Sequence, residues 1–492
     1  MLNSMDHVPA DVDLHRVARD VMRARGFDPQ FSPEVELQVS QLPHGLSVKT
    51  DQDIRDLRHL PWSSIDNDDS RDLDQIEVAE RLSASETKVL VGIADVDAFV
   101  RKSSAIDGHA ARETTTVYTG IEMFPMLPEQ LSTGLSSLLP GADKLCIVIE
   151  FIAGDDGEIR SSNLYRALVR NQAQLAYSSV GAWLQGSSAP PDKLKGSPDL
   201  QKQIQLQDRI AGCLREQRYK HGALNIESTE VRPVMSEGEI VGIADQEKNR
   251  ASGLIEELMI AANESVARLL QAKKVSSIRR VVKTPERWPR IVELAAQHGG
   301  DLPEQPDSKA LNEFLTQRKA VDPDHFADVS LTVIKLMGPG EYVLERPGDP
   351  DIGHFGLAVQ DYTHSTAPNR RFADIVSQRL VKAVLANQPP PYSDAELTAI
   401  AANCTLKQDA ARKVERDMSK RIAAVAMRGR IGETFAAIVT GANEHGVFVR
   451  VLKPHVEGML VRGQTGLDVG DRLRAKLVNT DVHRGYIDFA RA

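Results

Sequence analysis

The sequence predicts a multidomain α+β protein with a short helical start, a central mixed α/β body and an all-β end. Three observations lead there. Two segments with helical spacing lie before residue 45. Runs rich in Val and Ile then alternate with long helix-forming runs from about 46 to 390. Five short β-like segments crowd the last 63 residues.

Taken in order, VDLHRVARDVMRARG (12–26) carries apolar residues at helical spacing and stops at Gly26, a C-cap residue. SPEVELQVSQLP forms a second short helix, with Ser32 as cap, Pro33 in the first helical position and Pro43 beyond its end. Together residues 1–45 make a helical module, either helix-turn-helix-like or a brace on the body, the brace being the commoner arrangement. TKVLVGIADVDAFV (87–100) and KLCIVIEFI (144–152) are strands by their β-branched content, and GLIEELMIAANESVARLLQAK (253–273) is a long helix. NQPPPYSD (387–394) breaks structure and closes a body spanning 46–390. A helical extension, 391–429, ends in the basic string RKVERDMSKRIAAVAMRGR. From 430 to 492, ETFAAIVTGANE, HGVFVRVL, VEGMLVRG, DRLRAKLVNTD and GYIDFA are separated by Gly, Asn and Asp turns; five strands in so short a span predict a small closed barrel of the OB type. Phe448 and Arg450, two apart on one strand with His455 near, give this barrel an aromatic and basic face of the kind that holds nucleic acid, though Phe448 alone would more often be core.

Composition narrows the function classes. No run approaches the roughly 18 apolar residues of a membrane span. The N-terminus lacks the basic start and apolar stretch of a secretory signal. Cys146, Cys213 and Cys404 lie far apart without metal-ligand spacing, so neither a disulfide framework nor a zinc site is expected, and the expected compartment is the cytoplasm. From Tyr362 onward there are 20 Lys and Arg against 13 Asp and Glu, whereas the rest of the chain has 40 against 56. An acidic body with a basic C-terminal third points mildly to a polyanion held by the tail, but on this feature alone chance clustering of solvated charge is the better reading.

The sharpest feature is SIDNDDSRDLDQIE, residues 64–77, with five aspartates and a glutamate in fourteen positions. A solvated loop is the default for a charge run, but Ile65, Leu73 and Ile76 would draw the carboxylates inward, where they raise one another's pKa unless a cation joins them. A calcium loop fits the spacing: Asp66, Asp68, Ser70, Asp72, Asp74 and Glu77 fall on positions 1, 3, 5, 7, 9 and 12. Against it, Arg71 stands where the loop needs Gly, Pro61 lies where the incoming helix should run, and no second loop pairs with it. A catalytic metal site asks for hard oxygen donors: Asp72 and Asp74, two apart, share a side on an extended segment, and Asp66 returns to them across the NDDSR turn. Physical reasoning alone leaves this third reading somewhat ahead of the solvated loop.

RDLRHLPWSSIDNDDSRDLDQIEVAE resembles the opening of the RNB catalytic domain of the ribonuclease II family, in which a Thr-Ile-Asp stretch is followed six residues later by Asp-x-Asp-Asp. The resemblance continues in order through VGIADVDAFV, VYTGIEMFPMLPEQLS, IEELMIAAN, HFGLAVQDYTHSTAPNRRFAD, VERD and the GVFV, VEGM and GDRLRAKLVNTD segments of an S1-type RNA-binding OB fold, covering roughly 53–492. It implies a processive, hydrolytic 3′→5′ exoribonuclease acting on single-stranded RNA 3′ ends and releasing nucleoside 5′-monophosphates. It further implies one or two Mg²⁺ ions, with Mn²⁺ as a substitute, no small-molecule cofactor, no membrane and a monomeric chain.

By position, the resemblance makes Asp66, Asp72 and Asp74 the metal-binding and catalytic aspartates and Arg370 the arginine on the scissile phosphate. Tyr118 matches the tyrosine packed on the 3′-terminal nucleotide, which sets the end-product length; Glu256 or Glu257 matches an acidic residue beside that nucleotide. Glu415 lines the RNA path, and His364 and Arg371 flank the arginine motif as further RNA contacts. Without the motif context each reads as core, as solvent-facing, or as an arginine paired with Asp374. The chain departs from the pattern at the family's fourth aspartate, here Gln75, whose neutral oxygen would hold a metal weakly or leave the task to Asp68 or Asp69. The aromatic clamp opposite Tyr118 falls at about Ile226, the usual Ser and Ile of the arginine motif are Ala367 and Asn369, and about 50 residues do not hold the two cold-shock modules that usually precede the catalytic domain.

Overall fold

In the computed structural model, residues 12–43, 53–226, 230–236, 239–246, 248–350, 352–444 and 446–492 are described. Helix α1 (Leu14–Ala24) starts on Asp13, whose carboxylate accepts the Arg16 N–H at 3.0 Å, and α2 (Pro33–Ser40) starts on Pro33 as its composition predicts. The body then runs β1 (Ile54–Asp56), β2 (Ser63–Asp66), β3 (Gln75–Arg81), β4 (Glu86–Ala94), α3 (Ala105–Glu113), β5 (Val117–Tyr118), β6 (Met123–Phe124), β7 (Asp143–Gly154), β8 (Ile159–Arg170) and β9 (Ala173–Ala176). Next come α4 (Tyr177–Leu184), α5 (Asp192–Lys195), α6 (Pro198–Lys220), the hairpin β10 (Glu230–Ser236) and β11 (Glu239–Gln246), and α7 (Arg250–Ala272). They are followed by β12 (Ser277–Val281), α8 (Trp288–Gln297), α9 (Ser308–Val321), α10 (Pro323–Met337), β13 (Glu341–Glu345) and α11 (Phe372–Leu385). Helix α12 (Asp394–Arg428) leads into β14 (Thr434–Asn443), β15 (Gly446–Leu452), β16 (His455–Arg462), β17 (Arg472–Asp481) and β18 (Tyr486–Arg491).

Seven strands form the central sheet in the order β1-β8-β7-β4-β3-β2-β9. It is antiparallel from β8 through β2 and parallel at both edges. Because α4, α6 and α7 cover it, strands such as β4 and β7 are buried along most of their length and read as continuous apolar runs. The strand expected over 87–100 ends at Ala94, because the Asp95 carboxylate accepts the Ala98 N–H and turns 96–98 into a short 3₁₀ segment. Helix α7 opens on a reciprocal Asn249–Ser252 cap, and α12 on Ser393 with Glu396, where the NQPPPYSD break ends. At 35 residues α12 is a strut about 50 Å long that touches β13 and β11 of the body and β17 and β18 of the barrel.

The five last strands close into a barrel, β14-β15-β16-β18-β17, as the turn spacing predicts. The N-terminal helices act as a brace: Ala18, Met22 and Phe27 pack with Val117, Phe124, Val414 and Met418, and α2 lies on α3. Among the described residues no helix is long and apolar enough to cross a membrane.

Candidate active site

The acidic cluster is a loop between two strands of the central sheet, with no flanking helices, so the calcium-loop reading fails on architecture. Strand β2 ends at Asp66 and β3 begins at Gln75. Asp66 Oδ1 accepts the Asn67 N–H at 2.7 Å and the Ser70 hydroxyl at 2.9 Å, which folds the turn back. Ser137 then clamps the return, its Oγ accepting the Leu73 N–H at 3.0 Å and donating to the Arg71 carbonyl at 2.7 Å. Leu73 is fully buried, and the Asp74 carbonyl accepts the Ala94 N–H. The return arm of the loop is therefore buried, while Asp68, Asp69 and Arg71 stay exposed.

Two distant segments converge on the loop. Asp74 is 4% exposed; its Oδ1 accepts the Asn369 N–H at 2.9 Å and its Oδ2 lies 3.7 Å from Arg370 Nε. Burial pushes the Asp74 pKa up to about 8, against the pull of the Arg370 guanidinium and the Asn369 N–H. Burial also raises Asp72, with Asp66 repelling it and Arg370 opposing the rise. The Thr116 N–H donates to the Arg370 carbonyl at 3.0 Å and the Phe372 N–H to Thr114 at 2.8 Å, so β5 is held beside the arginine motif. This places the Tyr118 hydroxyl 3.5 Å from Asp72 Oδ2 while the residue as a whole remains 44% exposed. Glu415 of α12 accepts the Tyr118 N–H at 3.4 Å, so it steadies the tyrosine strand at the edge of the site. Arg370 keeps 46% of its side chain open to solvent.

Other candidates from the sequence have different positions. Arg371 forms a two-pronged pair with the buried Asp374, at 2.8 and 2.7 Å, and thus shapes the Arg370 turn from behind instead of facing RNA. Glu257 is 3% exposed and grips Arg218 at 2.8 and 2.6 Å, whereas Glu256 faces outward and pairs with Lys248 at 2.9 Å. His364 packs between Tyr342 and Tyr362 and bonds the Tyr342 hydroxyl at 2.7 Å; burial holds its pKa well below the usual range, so it is a neutral packing residue. On β15, Val447, Val449 and Val451 fill the barrel and Phe448 and Arg450 face outward, but Arg450 pairs with Asp328 of α10 and so docks the barrel to the body. Ile226 packs on the cluster around Leu224 and Trp288. Gln75 gives its amide N–H to the Ile65 carbonyl at 3.3 Å. Asp68 and Asp69 are exposed, and Asp68 accepts from the Ser178 hydroxyl. The Glu257 pair yields an expected result: Glu257→Gln removes the countercharge of the mostly buried Arg218 guanidinium and costs about 3–5 kcal/mol. A urea unfolding curve checks it, and an unchanged midpoint contradicts it.

Sequence reasoning missed Ser137, Asn369 as a backbone donor and Tyr177, and met Glu77 only as position 12 of the calcium loop. Tyr177 lies within electrostatic reach of Asp66, Glu77 and Arg370. Glu77 is fully buried with neither carboxylate oxygen hydrogen-bonded, and burial, then the Asp66 charge, pushes its pKa well up. Its signal was present in QIEVAER, where a charged residue sits between Ile76 and Val78 in a strand buried on both faces. The donor types suit a hard divalent cation: Asp66, Asp72 and Asp74 would offer carboxylate oxygens, and positive charge would relieve the burial of Asp74 and Glu77. Among the described residues no group of three or more His, Cys, Asp or Glu side chains is placed to hold a metal ion, so an ion bound here would draw on water and phosphate oxygens for most of its shell.

Comparison with known proteins agrees with this reading of the fold. Residues 54–387 match the RNB domain and residues 433–492 the RNase II-type exonuclease C-terminal S1 domain. Ribonuclease R of Escherichia coli (strain K12) is 30% identical over 452 residues, which cover 88% of this chain and 54% of that protein, so the chain spans about half the length of that relative. Ribonuclease R of Thermotoga maritima is 30% identical over 94% of this chain and 68% of its own length. The solved Mycoplasma genitalium RNase R in complex with ribose methylated single-stranded RNA matches with a TM-score of 0.87 at 23% identity, covering 98% of this chain and 78% of that one. Yeast Ssd1, a pseudonuclease, shares the fold with a TM-score of 0.72 at 16% identity, covering 95% and 57%. An RNB domain joined by a long helix to an S1 barrel, with ribonucleases R as relatives, places this chain in the RNB-domain ribonuclease family.

Proposed function

We propose that the chain is a processive, metal-dependent 3′→5′ exoribonuclease that takes single-stranded RNA 3′ ends and releases nucleoside 5′-monophosphates by hydrolysis. The observation that carries this reading is the meeting of Asp66, Asp72 and Asp74 with Arg370 and Tyr118 in one partly open site, from segments as far apart as residues 66 and 370. Asp66, Asp72 and Asp74 would hold Mg²⁺, or Mn²⁺ in its place. That ion would supply an activated water and offset charge on the leaving oxygen. The exposed Arg370 guanidinium is placed to neutralise negative charge growing on the attacked phosphate. Asn369, through its N–H on Asp74 Oδ1, fixes the carboxylate relative to that guanidinium. The open face of Tyr118 stacks on the terminal base, and its hydroxyl near Asp72 sets the distance between that base and the aspartates.

Tyr118→Ala tests the stacking role. Loss of one stacked base costs roughly 1–3 kcal/mol of grip on a short chain, so the shortest RNA left at the end of digestion becomes longer, as read on a denaturing gel. An unchanged limit product removes this role from Tyr118. The reading as a whole is tested by incubating 5′-labelled single-stranded RNA with the chain, with and without Mg²⁺; a ladder shortening from the 3′ end is expected only with the ion.

A second reading, an RNA-binding protein without hydrolytic activity, is favoured by one observation. Gln75 replaces the family's fourth aspartate and spends its amide N–H on the Ile65 carbonyl. Such a protein binds RNA and gives no ladder with any ion.

A further inference from the structure

Eight Asp and Glu side chains are buried among the described residues. Seven of them, Asp74, Asp95, Asp107, Glu113, Asp208, Glu257 and Asp374, lie within salt-bridge distance of a Lys or Arg nitrogen. The eighth is Glu77: it is 0% exposed, and neither of its oxygens has a hydrogen-bond partner. Burying a carboxylate without a cation or donors is costly, so this position calls for a ligand.

The place of Glu77 in the sheet indicates which ligand. Gln75 and Glu77 are alternate residues of β3 and so lie on the same face of the sheet. Glu77 stands opposite Ser63 at the start of β2, the strand that ends on Asp66. The Asp66 charge acts on Glu77 and the Glu77 charge on Tyr177, so Glu77 lies close to the first aspartate of the loop. The exposed alternatives, Asp68 and Asp69, are turned to solvent.

We infer that Glu77 supplies the carboxylate that Gln75 lacks, making Glu77 a metal-site residue of this chain together with Asp66. A glutamate two positions along the strand has one more methylene than an aspartate with which to reach back toward the ion. The inference rests on the metal-dependent reading above.

The probe is Mn²⁺, titrated into the EDTA-stripped, full-length chain without RNA and followed by the electron paramagnetic resonance signal of the free ion. Glu77→Gln is expected to weaken Mn²⁺ binding at least roughly tenfold. Adding Gln75→Asp to it is expected to restore binding. In EDTA, Glu77→Gln is expected to melt no lower than the unaltered chain, because the cost of burying an ionisable carboxyl without a partner has been removed. Glu77→Met, apolar and of similar length, is measured alongside so that the test stands even where the amide folds poorly. If both Glu77 variants bind Mn²⁺ as the unaltered chain does while Asp66→Asn loses it, the inference is overturned and the metal reading survives. If the unaltered chain binds no Mn²⁺, the metal reading is overturned and the inference with it.

Discussion

Asp74→Asn is expected to lower the single-turnover rate of RNA hydrolysis by at least roughly 10²–10³-fold, the scale of losing one preorganised electrostatic group at a reacting phosphate. The substitution is nearly isosteric. Its amide oxygen still accepts the Asn369 N–H that Asp74 accepts at 2.9 Å, so the loop and the RNA path keep their shape and RNA affinity stays near that of the unaltered chain. Stability is expected to move the other way. The carboxyl has a pKa of about 8 in the fold against 3.8 unperturbed, so without metal the folded state holds a proton that the unfolded chain has released. Its contribution to stability is complete below about pH 4 and is lost as the pH rises to about 8. The asparagine variant lacks that part of the slope, and melting curves without metal across this range report it. Hydrolysis within a few-fold of the unaltered chain would falsify the assignment of Asp74.

Removing Arg370 has the second large effect. Its guanidinium is half open, 3.7 Å from Asp74, and carried on a turn held from behind by the Arg371–Asp374 pair. Arg370→Ala is expected to lower kcat by roughly 10²–10³-fold. Arg370→Lys is expected to recover little, because an ammonium does not match the two oxygens of a phosphate with a planar fork. Arg370 also holds down the pKa of Asp74. Its loss therefore raises that pKa further, so the acidic limb of the residual pH–rate profile moves to higher pH. A lysine variant as fast as the arginine chain, with the same profile, contradicts this role.

Much of the architecture could be read from local pattern. The buried strands announced themselves as apolar runs, α12 by the NQPPPYSD break before it, and the barrel by five short strands between turn residues. The spacing of Asp66, Asp72 and Asp74 kept three readings open; the β2–β3 frame removes the calcium loop, and the Ser137 clamp buries the return arm of the turn. What the sequence hid were partners arriving from elsewhere in the chain. Arg218 turns Glu257 from a candidate RNA contact into half of a buried pair, and Asp328 does the same for Arg450. Glu77 was hidden for the opposite reason: what marks it is the lack of a partner, which shows only once its surroundings are in place.

The most direct measurement uses RNA labelled within its 3′-terminal nucleotide, mixed with the unaltered chain with Mg²⁺ and, in parallel, with EDTA, and identifies the first product released. The expected result is a labelled nucleoside 5′-monophosphate, formed only with the ion. No release with Mg²⁺, release that persists in EDTA, or a first product cut from within the chain would each contradict a metal-dependent exonuclease built on Asp66, Asp72, Asp74 and Arg370.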